Sequence, residues 1–155
     1  MSGDSEQLRL GDEPDAVPRA RAFVAEAVPR ISPSAADLVH DVELTVTELV
    51  TNALLHAGAP VMLRLIAILD GVRVEVQDSS PVAPVRAQVS SEAMTGRGLA
   101  LVDALAPRWG VDRVPGGGKV VWCEVTHSSV MRGDDYASGI EDVDALLDSG
   151  AAVQV

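Results

Sequence analysis

Three short segments carry residue types that could do chemistry. In the first, Glu48, Asn52 and His56 stand four residues apart, so on a helix they form one stripe. A carboxylate, an amide and an imidazole in line could form the wall of a binding pocket. An ordinary solvated helix face would look the same. Leu44 and Leu55 flank the stripe and favour a pocket wall, since both would otherwise be exposed apolar residues. In the second segment, Thr95-Gly96-Arg97-Gly98 opens an apolar-periodic run that begins at Leu99. Glycines let backbone N–H groups approach an anion, the helix N-terminus adds a favourable dipole, and Arg97 adds a fixed positive charge. A plain Gly-x-Gly turn shares that pattern. In the third, Asp78 stands where an alternating segment gives way to Ser79-Ser80-Pro81, either as a strand-end turn residue or as a ligand-binding carboxylate. No Gly-x-x-x-x-Gly-Lys-[Ser/Thr] run occurs and no Gly-x-Gly-x-x-Gly follows the first strand, so neither a P-loop nor a dinucleotide fold is indicated.

The elements that must position these segments follow from periodicity and punctuation. Residues 1–7 are polar and predicted to be disordered, and Leu8-Arg9-Leu10 reads as a short edge strand. Val17, Ala20, Val24, Ala27 and Val28 recur at helical spacing, which predicts a helix from Asp15 to Val28 ended by Pro29. A second helix starts at Ser34 or at the Ser32-Pro33 pair and continues to about Ala57, where Gly58 stops it. Its core face is Val42, Val46, Leu49, Val50, Ala53 and Ala57. Val61 to Leu69 reads as a strand, Asp70-Gly71 as a two-residue turn favouring positive φ, and Val72, Val74 and Val76 as the inner face of a partner strand that ends at Asp78. Residues 79–95 form a long loop broken by Pro81 and Pro84, a length that marks a lid or binding loop. A third helix follows Gly98, carries Leu99, Val102, Leu105 and Ala106, and stops at Pro107. Trp109 to Val114 and Lys119 to Thr126 form a second hairpin around Pro115-Gly116-Gly117-Gly118. The order predicts an α/β two-layer sandwich, with helices on one face of a mainly antiparallel sheet.

The 155 residues suffice for one such domain plus a tail. Hydrophobic residues make up 47% and aromatics only 3%, so the core must be aliphatic. A net charge of −11 opposes binding to nucleic acid, which requires clustered Lys and Arg, and suits a basic protein surface instead. Cys123, alone of its type, has no partner within the chain for a disulfide and reads as a buried strand residue. No signal peptide and no apolar run of transmembrane length is evident, so no membrane role is expected and the cytoplasm is the expected location. Residues 127–155 are rich in Ser, Gly and Asp and are predicted to be a disordered acidic tail. A short helix over 140–148, carrying Ile140, Val143, Leu146 and Leu147, is the alternative.

Taken together, the segments resemble a known family. Glu48-Leu-Val-Thr-Asn52-Ala-Leu-Leu-His56 is similar to the N box of the GHKL ATPase and kinase superfamily. Asp78-Ser-Ser-Pro81 resembles the shortened first glycine box of its anti-sigma-factor branch. Thr95-Gly-Arg-Gly-Leu-Ala-Leu-Val102 resembles the second glycine box, and Gly117-Gly-Lys-Val-Val-Trp122 the final strand motif. The likeness spans residues 8–126, with the motifs in family order. It implies a Bergerat-type sandwich with a mixed, mainly antiparallel sheet, which binds ATP and Mg²⁺.

By that resemblance Asn52 would hold the magnesium that bridges the phosphates. Asp78 would accept the adenine amino group. Gly96 and Gly98, between Thr95 and Leu99, would let the backbone wrap the phosphates, with Arg97 near the terminal one and residues 79–95 as the lid. Glu48 would be the general base toward a partner's Ser or Thr hydroxyl. The implied substrate is a small STAS-type anti-sigma-factor antagonist, a sigma factor would be the competing partner, and a homodimer is left open. The alternative is a non-catalytic module that sequesters a protein and binds ATP weakly or structurally. A histidine-kinase reading is disfavoured because no helix pair carrying a phosphoacceptor His is evident. Relatives commonly carry Thr after the Gly-Gly-Lys, to help the aspartate hold adenine. Val120 stands there, and the expected consequence is weaker ATP binding.

Overall fold

In the computed structural model, residues 3–80 and 108–128 are described. They form β1 (Ser5–Leu10), α1 (Ala16–Ile31), a short 3-10 helix (Pro33–Leu38), α2 (Val39–His56), β2 (Val61–Ile68), β3 (Gly71–Asp78), β4 (Arg108–Arg113) and β5 (Lys119–Thr126). The strands make one five-stranded sheet in the order β1-β2-β3-β5-β4. Each pairing among the described residues is antiparallel, where a mixed sheet was expected. Both helices lie on one side of it, α1 over β1 and β2, α2 over β2, β3 and β5.

Alternation decides which side each strand residue takes. Val72, Val74 and Val76 of β3 and Val121, Cys123 and Val125 of β5 are buried. They meet Leu63 and Leu65 of β2, Val24 and Val28 of α1, and Val42, Val46, Leu49 and Val50 of α2 in one aliphatic core. Each fully buried Val or Leu contributes about 1.5–3 kcal/mol. The opposite face carries Arg73, Glu75, Trp122 and Glu124. There the Arg73 guanidinium lies 4.2 Å from the Trp122 ring centroid, and Arg73 also pairs with Glu75 at 2.9 Å and Glu124 at 3.6 Å.

Four local expectations are corrected. Pro29 does not end α1: the helix runs on to Ile31, and the Ser32 N–H donates to the Val28 carbonyl at 2.9 Å. A proline there removes a single helical hydrogen bond, and burial of Val28 and Ile31 holds the last turn. Residues 5–7 are ordered, since β1 begins at Ser5 and pairs along its length with β2. The first hairpin turn is Leu69-Asp70, because Ile68 pairs with Gly71, and no non-glycine residue has positive φ among the described residues. Gly71 serves a different purpose, since a Cβ on it would overlap the Val125 carbonyl oxygen of β5. The folded chain also continues past Thr126. His127 and Ser128 hydrogen-bond to Asp70, and His127 to Asp37 as well.

α2 ends as expected, with Gly58 at φ 76° where a side chain would be strained. The second hairpin also has its expected form, with Arg113 opposite Lys119 and the three glycines 116–118 at positive φ. The third helix, the body of the 79–95 loop and the 140–148 segment lie outside the described residues.

Candidate functional site

α2 presents Glu48 and Asn52 one turn apart, about 6 Å along its axis, at the edge of its buried stripe. Val46, Leu49, Val50 and Ala53 are buried beside them, while Glu48 and Asn52 are only partly exposed. Partial removal from water pushes the Glu48 carboxyl above its ordinary value, because burial disfavours the charged form. The Asn52 side-chain oxygen, Oδ1, is buried and has no hydrogen-bond partner among the described residues. These two are therefore half-buried and do not stand on a fully solvated face. His56, a turn further on, is exposed, as is Leu55.

Asp78 ends β3 on the side of the sheet that faces the helices, continuing the parity of Val72, Val74 and Val76. It is 4% exposed. Its Oδ1 accepts two hydrogen bonds, from the Ser80 backbone N–H and from the Lys119 ammonium, each at 2.9 Å. Its Oδ2 is buried without a partner among the described residues. An unpaired acceptor in such a place typically costs about 1–3 kcal/mol, so two of them, Asn52 Oδ1 and Asp78 Oδ2, call for an explanation. A ligand that supplies a cation to one and an N–H to the other meets both needs.

Lys119, paired with Asp78, is the residue that the sequence reading missed. Register pairs it with Asp78 and pairs Val120 with Gln77, so Val120 lies on the far face of the sheet. The concern over a missing hydroxyl at Val120 is therefore misplaced, because that side chain cannot reach Asp78. The position that faces the aspartate is Lys119, and its side chain is 7% exposed against 1% for Asp78. The signal was available in the alternation of Val121, Cys123 and Val125, which puts Lys119 on the buried face. Gly118 makes the close approach feasible. It has φ 89°, and a Cβ there would overlap the Asp78 carbonyl oxygen and lie 3.2 Å from the Ser79 Cα.

Thr95, Gly96, Arg97, Gly98 and Leu99 lie outside the described residues. Among the described residues no group of three or more His, Cys, Asp or Glu could hold a metal ion. A magnesium ion at Asn52 would thus draw its other ligands from phosphate and water oxygens. Cys123 takes no part: burial pushes its thiol up to about 12, which leaves it protonated and inert. No helix among the described residues is long and apolar enough to cross a membrane.

A two-layer α/β domain in which α2 and the end of β3 hold a buried amide oxygen and a buried carboxylate oxygen without partners among the described residues is compatible with a nucleotide-binding ATPase domain. The chain belongs to the histidine kinase-like ATPase domain family, whose sequence model matches residues 10–123. It is also 42% identical over 85 residues to an uncharacterized protein of Streptomyces coelicolor, a match that covers 50% of this chain and 78% of that protein.

Proposed function

We propose that the chain is an ATP-binding serine/threonine protein kinase of the anti-sigma-factor type. Its substrate would be a small STAS-like antagonist, with a sigma factor as the competing partner. The observation that carries this reading is the pair of buried acceptors, Asn52 Oδ1 and Asp78 Oδ2, that have no partner among the described residues. An amide oxygen is a proper ligand for Mg²⁺, and a carboxylate oxygen aimed at a base edge accepts an exocyclic amine. Bound ATP with Mg²⁺ would supply the transferable phosphoryl group. Asn52 would hold the cation, Asp78 would orient the base, and Glu48 would take the proton of the partner's hydroxyl. A carboxyl pushed upward by burial is a stronger base than an exposed one and is better matched to neutral pH.

Net charge supports a partner with a basic surface. A chain at −11 attracts basic protein surfaces and repels nucleic acid and anionic membrane. A second reading, a protein-sequestering module with weak or structural ATP binding, is favoured by one observation: Lys119 already occupies half of the Asp78 carboxylate. Calorimetric titration of ATP with and without Mg²⁺ tests the site. Magnesium-dependent binding that weakens by about tenfold or more in Asn52→Ala is expected. Phosphate appearing on Ser or Thr of a STAS-like partner supports the kinase. Tight binding to such a partner or to a sigma factor without transfer supports the module, and absence of nucleotide binding to the folded protein removes the assigned site.

A further inference from the structure

We propose that Lys119 sets the base specificity of the nucleotide site, by keeping Asp78 an ionised acceptor with only Oδ2 free for the ligand. This inference rests on the nucleotide site proposed above and goes beyond it, to a residue that acts through Asp78 rather than on the phosphates. The geometry is direct. Lys119 Nζ and the Ser80 N–H both converge on Oδ1 at 2.9 Å, so that oxygen is taken and the carboxylate plane is fixed. Oδ2 is left buried and without a donor among the described residues. A carboxylate this far from water needs a counter-charge to stay ionised, and Lys119 supplies it from the neighbouring strand. Among the described residues the next cation on the same face is Arg113, opposite Lys119 on β4, and it is exposed.

The chemical consequence concerns what the site can recognise. An ionised carboxylate accepts hydrogen bonds and cannot donate them. Paired with the Lys119 ammonium at 2.9 Å, the Asp78 carboxylate accepts from the exocyclic amine of adenine and repels the carbonyl oxygen that hypoxanthine carries at the same ring position. A neutral carboxyl could instead donate to that carbonyl. The charge on Lys119 thus separates an amine-bearing purine from a carbonyl-bearing one at a position where Lys119 need not touch the base. Lys119 is a positioning and specificity residue, and no catalytic step is assigned to it.

The test compares ATP with inosine triphosphate, both with Mg²⁺, on the full-length protein and on Lys119→Met. Removing a positive charge weakens binding of any triphosphate, but that loss is common to both ligands and cancels in their ratio. The wild type should favour ATP by about tenfold or more, and Lys119→Met should bring the two within about threefold. Circular dichroism checks that the variant is folded. If it is not, Lys119→Gln, which keeps a donor toward Oδ1 without the charge, takes its place with the same expected loss of preference. A variant that keeps the full ATP preference overturns the inference while leaving the nucleotide site standing. A wild type that binds both nucleotides equally also overturns it, and places the recognition on the phosphates alone. A folded wild type that binds neither overturns the nucleotide site itself, and the inference with it.

Discussion

A carboxylate half removed from water, as Glu48 is, destabilises the fold whenever it is ionised. Its folded-state value lies above the ordinary one. The stability tied to its neutral form is therefore fully present below about 4.5 and is lost as pH rises through the raised value. At neutral pH the group is a net burden, modest because about half of it still meets solvent. Glu48→Gln should therefore leave the melting temperature at pH 7.5 unchanged or slightly higher, a gain below about 1 kcal/mol. Phosphoryl transfer to the partner should fall by about 100-fold or more, with nucleotide affinity retained. A variant that transfers phosphate normally would remove Glu48 as the base. Spacing placed Glu48, Asn52 and His56 on one helix face, since four-residue steps report a shared face, and the resemblance to the N box set Glu48 and Asn52 apart. Asp78 was legible as the end of an alternating strand. The Asp78–Lys119 contact was not, because β3 and β5 are joined through a long segment whose length says nothing about register. Only the alternation within each strand carried that information.

Glycines in this fold serve two distinct physical needs, and the hairpins separate them. Gly71 has no positive φ, yet a Cβ there would overlap the Val125 carbonyl oxygen. The obstacle is backbone of the adjacent strand in the middle of the sheet, which cannot move without breaking its ladder. Gly116 is the converse, at φ 92° with nothing within 4 Å of the place a Cβ would take. Gly71→Ala should lower stability by about 2–3 kcal/mol and Gly116→Ala by about 1 kcal/mol, both read from urea midpoints at constant m-value. Equal losses would mean that the collision at Gly71 is relieved by a strand shift. The sequence marked both as turn glycines, since dipeptide signals report where a chain reverses and not which strand lies alongside. The same limit explains Pro29. Propensity places a break there, but the buried Val28 and Ile31 and the Arg30–Glu6 pair, at 2.9 Å, hold the final turn against β1. For the described residues, the two α-helices, the strand order along the chain and the apolar faces were readable, because periodicity encodes them, while the 3-10 helix at Pro33–Leu38 was read as part of α2. Sheet neighbours were not, because pairing is decided by long-range packing.

Over the whole molecule, the helical layer and the sheet are tied together at one end by His127. Its Nε2 lies 2.9 Å from Asp37 Oδ1 in the 3-10 helix. Its Nδ1 lies 3.2 Å from the Asp70 carbonyl oxygen and 3.3 Å from Asp70 Oδ1 in the β2–β3 turn. Only the doubly protonated ring donates from both nitrogens, so the clamp is complete when His127 is charged. The Asp37 hydrogen bond is the main reason that its value is raised above 6.5, and His127 in turn lowers that of Asp37. The sign follows: the stabilisation is fully present below about 6.5 and disappears as pH rises through the raised value. Deprotonation also brings the chain to its full −11, the charge it carries with neutral histidines, which adds self-repulsion in the same direction, so a falling melting temperature between pH 6 and pH 8.5 does not by itself identify the clamp. Two variants separate the contributions. His56→Gln removes an exposed imidazole and serves as the control. His127→Gln removes an imidazole together with the ties to Asp37 and Asp70. Measured at fixed ionic strength, His127→Gln should flatten the pH dependence of the melting temperature more than His56→Gln, with its largest loss near pH 6. Equal slopes for the two variants would show that His127 acts through net charge alone and that the clamp contributes nothing to holding the two layers together.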